Sequence, residues 1–304
     1  MPWTVWILTS AFFLALYDLA KKASVRENAV LPVLLCSTTC GCLAYVAGLS
    51  ATGSLADAFG ELTPRVWTLG LSKSLLVAAS WVFTFCALRT LPITIATPIR
   101  ASSPALVFMV ALVVYGETPT LRQGFGMVLV FAGYWTFSWA GRHEGIDFLR
   151  NRAVWCAVGG AVLSACSSLW DKYVFQLAAS PIKSTQLVFQ LGLIVVYGLG
   201  LLAVTAYRAS LPPASRRPRP PTSFQFSWRW TIPAVGVLLA FSDWLMFNGL
   251  SLPDVPVSVA SLLRRFSVAI TFVLGAVFFR ETNLRRKAFA LTLVLAGIAL
   301  LCRQ

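Results

Sequence analysis

Two arginines with matching hydroxyl neighbours are the residues best suited to chemistry in this 304-residue chain. Each has a hydroxyl side chain three residues before it and three residues after it. The two groups are Thr97, Arg100 and Ser103, and Ser261, Arg264 and Ser267. Because three residues fall about 60° short of a full helical turn, each group shares one sector of a helix. A guanidinium flanked by hydroxyls can bind a carboxylate or a phosphate through two donors, so the pattern indicates a site for a small anion.

Both arginines lie inside long apolar segments. The chain is 58% hydrophobic and 12% charged, whereas soluble domains carry about 25% charged residues. Runs of about 20 apolar residues recur, and each is long enough to cross a bilayer. We therefore predict an all-α integral membrane protein with ten transmembrane helices. They cover residues 3–22, 30–51, 66–88, 92–115, 121–141, 153–175, 183–207, 230–250, 255–279 and 285–302.

The two halves of the chain repeat each other. The stretch GETPTLRQGFGMVLVFAGY (116–134) aligns with RETNLRRKAFALTLVLAGI (280–298), and the same register places Glu117 on Glu281 and Arg100 on Arg264. Five spans per half is an odd number, so the second half must enter the membrane in the opposite orientation. We predict two inverted five-helix repeats. They are residues 1–141 and 153–304, joined by a linker at 142–152, with a proline- and arginine-rich loop at 208–229.

Further charged and aromatic residues lie within the predicted spans. Lys73 and Asp243 occur in the third span of each half and could contribute opposite charges to one cavity, which would suit a zwitterion. Trp81 and Trp244 could stack on a substrate, or they could serve as packing residues or interface anchors.

Two aspartates leave a choice of roles. A weaker repeat aligns ALYDLAKK (15–22) with SLWDKYVF (168–175), and therefore Asp18 with Asp171. The aspartates could pair with Arg100 and Arg264 respectively, as structural or gating ion pairs, or they could carry a coupling proton. Burial favours the neutral carboxyl, whereas a neighbouring arginine favours the carboxylate, so the residues alone leave both roles open.

Nothing in the sequence indicates a cofactor, a metal or an enzyme. The seven cysteines lie in apolar stretches without paired spacing, the one histidine is His143 in a predicted loop, and the phosphate-binding pattern G-x-x-x-x-G-K-[ST] does not occur. The net charge of +14 does not imply a nucleic-acid partner, because the basic residues lie in short loops between spans.

The repeated segment that ends each half resembles the closing part of an EamA repeat, found in the drug/metabolite transporter superfamily. The resemblance implies a ten-helix secondary transporter with a central cavity lined mainly by the first, third and fourth helices of each half. Such a protein moves a small polar metabolite by alternating access. Together with the arginines, this suggests an amino acid or another compound with a carboxylate or phosphate. A flippase for a lipid-linked headgroup and a non-transporting sensor or scaffold are the alternatives.

Two further expectations concern the location of the protein and its orientation in the membrane. We expect a multi-pass protein of the plasma (inner) membrane, as a monomer or homodimer, with a proton as the candidate coupling ion. Basic residues concentrate in the loops after odd-numbered spans, so the positive-inside rule places both termini outside. The family resemblance instead implies cytoplasmic termini.

Overall fold

The computed structural model describes residues 2–101, 105, 120–142, 150–174, 178, 180–210, 225–250, 263–281 and 283–302. Within these residues the chain forms eleven helices and no strand. They are α1 (Trp3–Val25), α2 (Val30–Ala51), α3 (Leu55–Gly60), α4 (Pro64–Thr90), α5 (Ile93–Ala101), α6 (Leu121–Arg142), α7 (Arg152–Lys172), α8 (Ile182–Ser210), α9 (Thr231–Leu250), α10 (Phe266–Phe278) and α11 (Leu284–Cys302). The predicted site residues Ser103 and Ser261 lie outside the described residues.

The helices have the length and surface of a membrane protein. Helices α1, α2, α4 and α8 are long and apolar enough to cross a bilayer, and shorter apolar helices accompany them. Large apolar side chains face outwards, among them Leu43, Leu75 and Trp135, which are 65%, 60% and 81% exposed. Extended apolar surface of this kind suits hydrocarbon better than water. The prediction of an all-helical, multi-pass membrane protein is confirmed.

The helices of the two halves contact each other in a reciprocal pattern. Helix α1 packs against α9 and α10, while α4 and α5 pack against α7. Helix α2 contacts both α8 and α9, α8 in turn contacts α4, and α6 packs along α11. Each of these contacts has a counterpart in which equivalent helices of the two halves are exchanged. The contact of α1 with α9, for example, corresponds to that of α4 with α7.

The contact between α6 and α11 repeats itself in detail. A β-carbon at Gly133 on α6 would lie 2.5 Å from Val294 Cγ2, and one at Gly297 on α11 would lie 2.7 Å from Val130 Cγ2. The sequence repeat aligns Gly133 with Gly297 and Val130 with Val294. Gly133 therefore faces Val294 on α11, and Gly297 faces the equivalent valine, Val130, on α6. The two backbones approach closely at both points.

Hydrogen bonds between hydroxyls and backbone hold α1 against α9. Ser10 Oγ donates to the Ser242 carbonyl at 2.8 Å, and Ser242 Oγ donates to the Ser10 carbonyl at 2.9 Å. At the other end of α1, Ser24 Oγ donates to the Thr231 hydroxyl at 2.8 Å. Because both ends are fixed, the residues on α1 have a defined position relative to Asp243, which follows Ser242 directly.

The crossing of α2 and α9 depends on a glycine without room for a side chain. A β-carbon at Gly236 would lie 2.5 Å from Gly41 N. We expect Gly236→Ala to lower the free energy of unfolding by about 1–3 kcal/mol, the usual effect of overpacking. Thermal unfolding of the purified protein in detergent measures this loss. Gly198→Ala is the control, because nothing lies within 4 Å of a β-carbon there; equal midpoints for the two variants would contradict the prediction.

Candidate functional site

Asp18 on α1 accepts hydrogen bonds from two cations inside the helix bundle. Arg100 Nη2 donates to Oδ1 at 2.7 Å and to Oδ2 at 2.6 Å, and Lys21 Nζ donates to Oδ1 at 2.7 Å. The side chains of Asp18 and Lys21 are 2% and 1% exposed, whereas that of Arg100 is 31% exposed. The carboxylate is therefore buried beneath the arginine, whose outer part stays accessible.

Local structure explains how α1 presents this group. Asp18 and Lys21 are three residues apart, so they lie on one face of the helix and can pair. The Lys21 ammonium also lies 4.3 Å from the centre of the Tyr17 ring, which adds a cation–π contact. Arg100 reaches the same face from the last turn of the short helix α5.

Glu281 caps the beginning of α5, although it belongs to the other half of the chain. Its Oε1 accepts a hydrogen bond from Ile93 N at 2.7 Å, and its Oε2 accepts from Thr94 N at 3.3 Å and from the Thr94 hydroxyl. The first N–H groups of a helix have no partner within it and carry partial positive charge, so a carboxylate stabilises them. The ammonium of the fully buried Lys287 lies 3.6 Å from Oε2.

Lys22 performs the opposite task at the end of α4. Its ammonium donates to the carbonyls of Leu88 and Leu91, each at 2.5 Å. A cation at the carbonyl end of a helix satisfies acceptors that have no partner within the helix. We call the meeting point of Lys22, Leu91, Thr94, Glu281 and Lys287 the α4–α5 junction. The structure buries Lys21, Lys22 and Lys287.

Arg264 forms a second ion pair, with Asp243. Its Nη2 donates to Asp243 Oδ1, and the two side chains are 25% and 33% exposed. The sequence repeat offered Asp171 as a partner, and that side chain lies outside the described part of the structure. Ser242 is bonded to α1, and this brings the next carboxylate, Asp243, to the start of α10. Arg264 Nε is buried and has no hydrogen-bond partner among the described residues.

Both ion pairs are tied to α1. Asp18 lies on α1, and Asp243 directly follows Ser242, which is hydrogen-bonded to Ser10 of the same helix.

Tyr17 lines a small cavity of about 20 Å³ together with Trp81 and Gln190. This volume holds about one water molecule. The walls come from α1, α2, α4, α8 and α9, so the second helix of each half contributes, which the family resemblance did not imply. Tyr17 and Gln190 were missed in the sequence. An amide within the apolar segment 183–207 was the pattern that could have indicated Gln190.

Lys73 and Asp243, predicted to share a cavity, have different neighbours. The Lys73 ammonium lies 4.7 Å from the centre of the Phe189 ring on α8, while Asp243 binds Arg264. The described contacts thus place the lysine against an aromatic ring and the aspartate in an ion pair.

The remaining predicted residues have packing contacts or are buried. The Trp244 ring stacks on Phe241 at 5.7 Å and meets Trp6 edge-on at 5.9 Å. Thr97 and Ser267 are both buried, each with 3% of its surface exposed.

Comparison with known proteins identifies the first half of the chain. Residues 1–139 match the EamA-like transporter family. This half is an EamA domain. The multi-pass membrane chain therefore contains an EamA domain, and for residues 1–139 the predicted family is confirmed. An EamA domain implies a membrane transporter of the drug/metabolite transporter superfamily.

Several solved structures match this chain, and one crystal structure illustrates the shared fold. The alignment covers 98% of this chain and 96% of that protein, with a TM-score of 0.62 and 18% sequence identity. At this identity the likeness concerns the fold alone. A comparison with curated protein sequences gives no match.

Because Asp18 binds two cations, we can predict which of two variants of this group is less stable. Asp18→Asn leaves both Arg100 and Lys21 without their carboxylate, and breaking a buried ion pair in this way costs about 3–5 kcal/mol. Arg100→Gln is milder, because Asp18 keeps Lys21. We expect a lower midpoint for Asp18→Asn than for Arg100→Gln in thermal unfolding of purified protein. The reverse order would show that Lys21 does not compensate the carboxylate.

Proposed function

We propose that this EamA-like protein is a secondary transporter that binds a small carboxylate- or phosphate-bearing metabolite at Arg100 and Arg264. The observation that carries the proposal is the way Arg100 is held. Both bonds to Asp18 use Nη2, so within the described part of the structure Nε and Nη1 have no protein acceptor. A partly exposed guanidinium whose Nε and Nη1 N–H groups have no acceptor among the described residues can bind an anion.

Arg264 offers a similar capacity. Its buried Nε lacks an acceptor among the described residues, and its partner Asp243 is one-third exposed. An acceptor from a substrate would satisfy the arginine, and an amine on the same substrate could contact the aspartate. This combination supports an amino acid as one form of the metabolite.

Asp18 fits a structural role in this transporter better than a proton-carrying one. Its carboxylate is bound by both Arg100 and Lys21. Two neighbouring cations favour the carboxylate over its protonated form. We therefore propose that Asp18 orients Arg100 for the substrate.

We further propose ten spans arranged as two inverted five-helix repeats, residues 1–141 and 153–304. The reciprocal helix contacts support this arrangement. The exchanged glycine and valine contacts of α6 and α11 support it as well, because a two-fold axis between the halves would produce them.

Transport through such a bundle requires movement around α5. The cavity beside Tyr17 has room for about one water, so a metabolite needs a wider state. Arg100 is carried by α5, whose beginning is held by Glu281 from the other half. We propose that the site opens at the α4–α5 junction when the hydrogen bonds between Glu281 and the beginning of α5 break. Alternating access requires an opening step of this kind.

The anion-binding proposal is tested on purified protein with amino acids, organic acids and phosphates as stabilising ligands. Loss of a charged hydrogen bond costs about 1.5–3 kcal/mol, so Arg100→Gln and Arg264→Gln should each weaken binding about 10- to 100-fold. The control is Arg65→Gln, an exposed residue at the beginning of α4. Ligands that bind both site variants as tightly as the wild type would refute the proposal.

The gating role of Glu281 predicts a change in accessibility. Glu281→Gln removes a charge from the helix end, which is worth up to about 2 kcal/mol when partly buried. In a cysteine-free background, a maleimide should label Leu91→Cys several-fold faster when Glu281→Gln is also present. Leu91 is 1% exposed in the closed junction. The neighbouring Thr90 is exposed, so Thr90→Cys should react equally in both backgrounds; an unchanged Leu91→Cys rate rules out the gate.

A further inference from the structure

Three residues with hydrogen-bonding side chains line the small cavity: Tyr17, Trp81 and Gln190. Their hydroxyl, indole N–H and amide groups form no hydrogen bond with any residue that the structure describes. Tyr17 is 3% exposed and Gln190 is 9% exposed, so both are more than nine-tenths buried. An unsatisfied buried polar group costs about 1–3 kcal/mol, and a bound group in the cavity would recover that energy.

The rest of the cavity lining determines the chemistry of such a group. The hydroxyls of Ser37 and Thr38 both donate to the Leu34 carbonyl, at 3.1 and 2.8 Å. Their oxygens can still accept a hydrogen bond. None of the ten lining residues carries a charge. The matching ligand group is therefore uncharged and both donates and accepts, which describes a hydroxyl, an amide or a water.

The cavity lies next to the proposed anion site. Tyr17 lines the cavity, and Asp18, the next residue, binds Arg100. The Lys21 ammonium, which also binds Asp18, lies 4.3 Å from the centre of the Tyr17 ring. These contacts support one compact molecule with an anionic group at Arg100 and an uncharged polar group in the cavity.

We infer that this cavity is the subsite for an uncharged hydroxyl or amide group on the transported anion, and that Tyr17 and Gln190 determine the preference for substrates that carry one. The inference rests on the proposed transport of an anion. In the closed state the cavity accommodates one water. The polar group of the substrate takes the place of that water once the cavity widens.

The subsite is tested with pairs of anions that differ mainly in uncharged hydroxyl groups. The probes are lactate and propionate, L-serine and L-alanine, and glycerol phosphate and propyl phosphate. Binding is measured on the purified full-length protein by titrated thermal stabilisation. We expect at least one hydroxylated member to bind about tenfold more tightly than its partner, since one hydrogen bond contributes about 1 kcal/mol or slightly more.

Two variants remove the polar groups while they keep the size of the side chains. Tyr17→Phe and Gln190→Met should each reduce the hydroxyl preference to less than about threefold. The affinity for the probe without the hydroxyl group should change little. The matched control is Gln186→Met, one turn earlier on the same helix and away from the cavity lining. Wild-type midpoints without ligand show that the variants are folded.

The outcomes separate this inference from the function on which it rests. If the probes bind through Arg100 but without a hydroxyl preference, the subsite is wrong and the anion site stands. The same conclusion holds if Tyr17→Phe and Gln190→Met both keep the full preference. If no probe binds to the wild-type protein, the subsite and the proposed function both fail.

Discussion

The charge of Arg100 in the interior of an apolar helix bundle is the constraint on which much of this structure depends. A charged side chain at the centre of a membrane helix costs about 2.5–3.5 kcal/mol by insertion measurements, and more when it is isolated. Asp18 offsets this cost with two short hydrogen bonds. The same carboxylate accepts a hydrogen bond from Lys21, so α1 and α5 are joined by a group of three charges. The position of α1 then determines what surrounds the site.

The end of α4 and the beginning of α5 impose a second constraint, because their buried polar groups also need partners. Leu91, Ile93 and Thr94 are buried, so the last carbonyls of α4 and the first N–H groups of α5 are shielded from water and need partners within the protein. Lys22 satisfies the carbonyls at the end of α4, and Glu281 satisfies the N–H groups at the beginning of α5. Each charge has the sign that the helix dipole favours. A break also separates α4 from α5, which carries Arg100.

Structural ion pairing and substrate binding do not exclude each other at these arginines. A guanidinium has five donors, and the bonds from Arg100 to Asp18 use one nitrogen. The ion pair fixes the side chain before a ligand arrives, and a preorganised group loses less entropy on binding. The uncharged cavity beside Tyr17 complements this arrangement, because charge and hydrogen bonding are then recognised by different parts of one site.

The sequence by itself determined the helical, multi-pass membrane character, the family of the first half and the choice of Arg100 as a candidate site residue, because hydropathy and short motifs depend on residues close together in the chain. The repeat also placed Arg100 and Arg264 in equivalent positions. Only the tertiary structure decided that Arg264 meets Asp243, that Glu281 caps a helix of the opposite half, and that Gln190 lines the cavity. These contacts join helices far apart in sequence. They depend on where close-packed glycines and the Ser10–Ser242 bonds let the helices cross, and periodicity along a single helix carries no information about that geometry.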